Sequence, residues 1–276
     1  MAKITAAEVN KLRKQTGAGM MDCKNALVEN DGDIEKAIDY LRKKGQKVAA
    51  KRSDRDAAEG VVLSGTSADN AFGAVVMLNC ETDFVAKNDD FVTFTKSILD
   101  AAIENKANTA EELMAIKVGD NTIEELITDQ IGKIGEKIQI GNYSSLNGAY
   151  VKAYIHPGNR LATAVEMTKT VDGIDEISKD IAMQVAAMNP VALNKDSVSQ
   201  EVIDRELEIF KDVIRQEGKP ENMVEKISMG KLNKFFKENT LMSQMFIKDS
   251  KITVEQYANN ADKDLTVSNF LRFALA

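Results

Sequence analysis

The chain has 276 residues, enough for about two domains, and its 43% hydrophobic and 29% charged residues make an ordinary globular mixture. The net charge of −7 is unevenly placed, with 13 Lys/Arg against 8 Asp/Glu in residues 1–55 and 23 against 35 in the rest. That makes the whole chain a poor nucleic-acid binder, because such affinity rests on phosphate neutralisation. The basic N-terminal end still suits an acidic partner surface. Cys23 and Cys80 form no CxxC, and with one histidine in the chain zinc is not expected. Two buried thiols are the expectation. Twelve methionines suit either adaptable core filling or a soft contact surface. No apolar run approaches the roughly 20 residues that span a bilayer. The first turn reads as amphipathic helix rather than as a signal peptide. A soluble, cytoplasmic protein with no membrane contact is expected.

Residues 1–44 read as three short helices. Thr5-Ala6-Ala7-Glu8 has the capping-box form, and Val9 and Leu12 follow on one face. Gly17-Ala18-Gly19 breaks that helix. Met20, Cys23 and Leu27 mark the second, and Asp31-Gly32-Asp33 breaks again. Ile34, Ala37, Ile38 and Leu41 mark the third, with Gly45 as its expected stop. Residues 42–55 hold seven Lys/Arg and one acid, and read as a solvated linker, a helix extension or a basic patch.

The middle of the chain repeats one plan. Gly60-Val61-Val62 leads through a turn at 67–70 into the strand-like 74–78, then a helix bearing Phe91, Phe94, Ile98 and Ala102. About ninety residues later 148–151, a turn at Pro157-Gly158-Asn159, the strand 161–167 and a helix with Ile174, Ile177, Ile181 and Val185 repeat it. Two strand–turn–strand–helix units give an α+β core. Residues 110–135 between them read as helical, and Lys137 to Ile140 as an added strand. Ile203, Leu207, Phe210 and Ile214, then Met223, Val224, Ile227 and Phe235, read as the two arms of a helical hairpin. A short helix at 253–257 and a strand at 270–275 close the chain. The expected division is 1–55, a three-helix module with basic linker; 56–147, one core subdomain; 148–190 with 240–276, the other; and 191–239, the hairpin.

No catalytic constellation is visible, and no cofactor or metal is expected. His156 has no serine or cysteine motif around it. Gly17-Ala18-Gly19 lacks the lysine and third glycine of a phosphate loop. Asp89 and Asp90 open a helix, where acids suit its positive end. The stretch from Asn79 to Asn88 is different. It is a strand-to-helix loop that sets Asp83 beside Phe84 and Val85. An acid next to a large ring on a loop is either a wedge for a partner protein or a pair of apolar residues folded onto their own core.

The runs Thr16 to Lys24, Ala57-Ala58-Glu59-Gly60 and Asn79 to Asn88 resemble bacterial elongation factor Ts. The resemblance covers nearly the whole chain and is strongest to about residue 100. It implies a guanine-nucleotide exchange factor, not an enzyme, whose partner is the translational GTPase elongation factor Tu. It also implies a ubiquitin-associated-like N-terminal module, two related α+β subdomains and a hairpin used for a homodimer. By the same resemblance Thr82, Asp83, Phe84 and Val85 form a wedge that displaces the GTPase's magnesium. Arg13, Met20, Met21 and Lys24 fall in an N-terminal contact region, and His156 in a contact of the second subdomain. The chain departs from the family pattern at Gly141-Asn142, where arginine is common. It also lacks a proline in 241–250 and ends at Ala276 without a further helical module. The rival expectation is an RNA- or ribosome-associated protein acting through the basic 42–55 segment.

Overall fold

Local capping sets the first elements of the computed structural model, which describes residues 4–276. Both halves of the Thr5–Glu8 capping box are formed at the start of α1 (Ala6–Thr16). Gly17 ends that helix at φ 67°. α2 (Met20–Glu29) follows, and Asp33 caps α3 (Ile34–Arg52) by accepting from the Lys36 N–H at 3.1 Å. Val9, Leu12, Cys23, Ala26, Leu27 and Ala37 make a small core. Met20 is not part of it. As the first residue of α2 it lies a turn ahead of the buried line, which runs through Cys23, Ala26 and Leu27.

β1 (Glu59–Thr66) and β2 (Phe72–Cys80) follow, joined by the expected turn, where Asn70 takes φ 54°. β2 is buried at every position and lies between β1 and β5 (Gln139–Asn147) in one sheet. After β2 come the single turn α4 (Asp83–Ala86) and α5 (Asp89–Asn105). α5 turns Phe91, Thr95, Ile98, Leu99 and Ala102 inward. The stretch expected to be helical at 110–135 is in fact interrupted. α6 (Ala110–Ala115) gives way to a two-residue hairpin, β3 (Lys117–Val118) and β4 (Asn121–Thr122), which turns at Gly119. Thr122 then starts α7 (Ile123–Ile134) with a second capping box.

Gly45 does not stop α3. A Cβ at Gly45 would lie 3.1 Å from the Thr128 carbonyl oxygen, and one at Gly132 would lie 2.9 Å from the Gly45 Cα. The two glycines let α3 and α7 meet backbone to backbone. The packing offsets the roughly 1 kcal/mol that glycine costs inside a helix. The basic 42–55 stretch is therefore mostly helix and not a solvated linker.

The chain divides into two compact units. One holds the residues up to Leu63, Val76–Ser144 and Ala274–Ala276; the other holds Ser64–Val75 and Ser145–Phe273. In the second, β6 (Tyr150–Ile155) pairs antiparallel with β7 (Leu161–Met167), from Tyr150 opposite Met167 to Ile155 opposite Ala162. α8 (Ile174–Met188) packs on both strands. The hairpin arms are α9 (Gln200–Gln216) and α10 (Glu221–Asn239). Ile214, Val224 and Leu232 are buried there, whereas Met223, expected on the seam, is exposed and cedes the inward place to Val224.

β8 (Met245–Phe246) and β9 (Asp249–Thr253) form a small hairpin that periodicity did not reveal. α11 (Val254–Ala261) and β10 (Val267–Ala274) complete the unit, and β10 joins β7 and β6 in one sheet. Val165, Met167, Ile181, Val185, Leu241, Phe246, Val254 and Leu265 fill its core. Phe246 stacks on Tyr257 with ring centroids 4.0 Å apart. No helix among the described residues is long and apolar enough to cross a membrane.

Candidate partner-binding site

The 81–88 segment leaves the fully buried strand β2 and reaches α5 by way of α4. Thr82 is the N-cap of α4, with extended backbone and a hydroxyl that accepts from the Val85 N–H at 3.5 Å. Asn88 caps α5 in turn by accepting from the Asp90 N–H at 2.8 Å. None of the five residues between these caps is completely buried. Phe84 is 84% exposed, while Val85 is half-buried. The two do not fold back together onto the core. Phe84 and Val85 instead edge a hollow of about 300 Å³, lined also by Phe91, Gln130, Lys133 and Ile134.

Asp83 is not free in this state. Lys87 donates to its carboxylate at 2.6 Å, one helical turn on. That hydrogen bond, with the Lys87 charge, holds the Asp83 carboxyl below the usual aspartate range.

The base of the turn is held by residues that the sequence reading did not single out. The Glu136 carboxylate accepts from the Glu81 N–H at 3.1 Å, the Thr82 N–H at 3.0 Å and the Thr82 hydroxyl at 2.7 Å. Glu81 answers from the other side. Its carboxylate accepts from the Lys137 N–H at 2.6 Å and from Arg52 at 2.8 and 3.0 Å. The Lys137 hydrogen bond first, and Arg52 after it, holds the Glu81 carboxyl below the usual glutamate range. Lys137 Nζ also donates to the carbonyls of Ser53 and Arg55, just past the end of α3. Cys80, fully buried at the end of β2, donates its thiol to the Thr82 carbonyl. Burial, followed by the Glu136 charge, pushes that thiol up to about 12, so it stays protonated and unreactive at neutral pH.

The other residues suggested by the sequence occupy two further places. Met20 and Met21 are 53% and 64% exposed, Lys24 is exposed one turn along α2, and Arg13 is exposed in the last turn of α1. Val28 continues the outward line of α2. His156 belongs to the second unit, at the end of β6. Its N–H closes the β6–β7 turn on the Leu161 carbonyl at 2.9 Å, and its Nδ1 lies 3.0 Å from the Tyr154 hydroxyl. Tyr154 and His156 edge a hollow of about 220 Å³ with Leu161, Met183, Ala186 and Ile247. Thus Thr82 to Val85 lie together on one turn, the N-terminal residues lie on the first two helices, and His156 stands in a different unit.

The family model described as elongation factor TS matches residues 81–276, beginning inside this segment. Curated relatives extend the match to the whole chain. Elongation factor Ts of Christiangramia forsetii is 53% identical, with 100% of both chains covered. That of Flavobacterium psychrophilum is 51% identical with the same coverage. That of Porphyromonas gingivalis is 51% identical over 99% of this chain and 98% of its own. The chain belongs to the elongation factor Ts family. Family membership agrees with a mixed α+β fold and makes this an elongation factor, a protein of the elongation step of protein biosynthesis.

Two features of this elongation factor Ts chain bear on Gly141 and on the basic 42–55 stretch. Gly141 stands against Asn79, whose side-chain oxygen would be 1.7 Å from any Cβ at 141. Asn79 is buried and donates to the Glu59 carbonyl at 3.1 Å, so the glycine makes room for a bond between the start of β1 and the end of β2. The basic 42–55 stretch spends part of its charge internally: Arg42 on Asn121, Lys44 on Asp22 at 2.5 Å and Arg52 on Glu81.

Proposed function

We propose that the chain is a guanine-nucleotide exchange factor for the GTPase elongation factor Tu, working in the cytoplasm by binding alone. The observation that carries the reading is Phe84, an almost fully exposed ring on a capped, hydrogen-bonded turn. It is the most exposed large apolar side chain among the described residues, well above Met21 at 64%, and aromatic anchors dominate interface energies.

On this reading Thr82 to Val85 are the wedge. Phe84 enters an apolar gap between helices of the GTPase, and Asp83 orients it, exchanging Lys87 for polar groups of the partner. The shifted helices hold magnesium and phosphate less well. Arg13, Met20, Met21 and Lys24 give a second contact, and His156 with its hollow a third. The N-terminal module, 1–55, and the two subdomains, 56–147 and 148–190 with 240–276, divide these contacts among them. The 191–239 hairpin exposes Ile209, Val213, Met223 and Met229, which supports a role in self-association.

The coupling is reciprocal: whatever ratio the factor imposes on GDP affinity, GDP imposes on the factor. A thousandfold ratio needs about 4 kcal/mol, within the range of one buried aromatic anchor and its neighbours. The factor speeds exchange and leaves the balance between free GDP and GTP unchanged.

Titration against purified elongation factor Tu tests the reading. Binding that is strong without nucleotide and opposed by GDP with magnesium supports it. Binding to RNA that falls steeply with salt, with no response to GDP, would instead support the ribosome-associated reading.

A further inference from the structure

A helix of four residues is not stable on its own, because one turn fixes several backbone dihedrals for very few hydrogen bonds. α4 has no fully buried residue to hold it, and its own cap bond is long at 3.5 Å. What fixes the turn is the residue opposite. Glu136 follows Gly135, which ends α7 in the left-handed conformation at φ 81°. From there its carboxylate takes both backbone N–H groups at the base of α4 and the Thr82 hydroxyl. The hydroxyl proton is thereby committed to Glu136, which leaves an oxygen lone pair aimed at the Val85 N–H. The main chain of the neighbouring Lys137 returns a bond to Glu81, so the two segments grip each other from both sides.

We propose that Glu136 is the positioning residue of the wedge, setting Phe84 in its raised place before the partner arrives. The inference rests on the exchange-factor reading above and names the group that makes the wedge rigid. A prong held in advance loses less freedom on docking, and that difference appears where the prong acts. Glu136 touches neither partner nor nucleotide in this scheme; it works through Thr82 and α4.

The test is release of fluorescent GDP from the purified GTPase, followed over a range of factor concentrations. Glu136→Ala should lower the maximal stimulated rate about tenfold, while the half-saturating concentration moves less than about twofold, because the other contact regions are untouched. Glu136→Gln keeps one oxygen for the two N–H groups and should stay within about threefold of the parent. In a Phe84→Ala background, Glu136→Ala should cost nothing further. A parental rate for Glu136→Ala would overturn the proposal, as would an equal loss with and without Phe84, which would mark general damage. Should Glu136→Ala fail to fold by circular dichroism, Thr82→Val removes the hydroxyl, and with it both the side-chain bond to Glu136 and the cap on the Val85 N–H that this bond aims, while the two backbone N–H bonds to Glu136 remain. It should slow release about threefold in the parent and not at all beside Phe84→Ala; a parental rate in that variant overturns the proposal too. If Phe84→Ala alone releases GDP at the parental rate, the wedge reading fails first, and that outcome is distinct from the others.

Discussion

The two strand–turn–strand–helix repeats use the same slot in opposite ways. Between β2 and α5 the first repeat raises α4 and leaves Phe84 in water. Between β7 and α8 the second repeat has Thr168 to Gly173, which is tied down. Thr168 accepts from the Thr266 N–H at 3.1 Å and donates to its carbonyl, Lys169 binds Asp262 at 2.5 Å, and Val171 packs against the unit's core. Both slots are well ordered by hydrogen bonds. They differ in where the apolar side chain points: inward in the second, outward in the first. A connection that needed only to join strand to helix would resemble the second. The first is built to the same standard around an exposed ring, and that contrast is the physical case for function at Phe84.

The contrast breaks most directly at the rings themselves. Phe84→Ala should slow stimulated GDP release at least tenfold, about 1.4 kcal/mol, without lowering the thermal midpoint, since an exposed side chain contributes little to the core. Unchanged release would reduce the first slot to a connection like the second. Asp83→Ala should cost less, about threefold, because Asp83 must give up Lys87 before it can serve a partner. If the Asp83 variant proved the slower, the acid and not the ring would be the principal contact.

Val171→Ala supplies the converse. It should leave GDP release unchanged and lower stability by about 1 kcal/mol, the cost of deleting half-buried methyl groups. Chemical denaturation reads the second quantity. A loss of release with unchanged stability would place a working surface in the second slot as well.

How far the sequence shows this contrast depends on the range of the interactions. Capping at Thr5, the helix start at Asp89 and the turn at Pro157-Gly158-Asn159 depend on neighbours a few residues apart, and they read directly. That Phe84 and Val85 stand on a loop also reads directly, but whether they face water or fold onto the core does not, and the structure decides it by leaving the ring exposed. Glu136 does not read directly either, since its partners lie 54 and 55 residues away across the first unit. Gly45 misleads for the same reason: a glycine after an apolar stripe signals a helix end locally, and only the approach of Gly132 shows why it sits mid-helix. The hairpin of β8 and β9 is too short for any period to show. Met20 and Met223 obey the spacing rule but stand in first turns, where the rule does not say how far the core extends.

Acid titration sharpens the difference between the base of the wedge and its tip. Glu81 and Asp83 are both held below their ordinary values of 4.5 and 3.8, so each adds stability that is fully present above those values and is lost as pH falls through the lower folded value. Glu81 is 15% exposed and bonded to Lys137 and Arg52, whereas Asp83 is more open and is held chiefly by Lys87. Solvent screens the second pair far more than the first. Glu81→Gln should therefore lower the thermal midpoint at pH 7, with the gap to the parent narrowing as pH drops below about 4.5, toward the ordinary glutamate range and beyond it. Asp83→Asn should show a much smaller gap at any pH. A Glu81→Gln gap that stayed constant down to pH 3 would mean that its charge adds nothing to the grip on α4, leaving the Glu136 hydrogen bonds as the whole of the restraint.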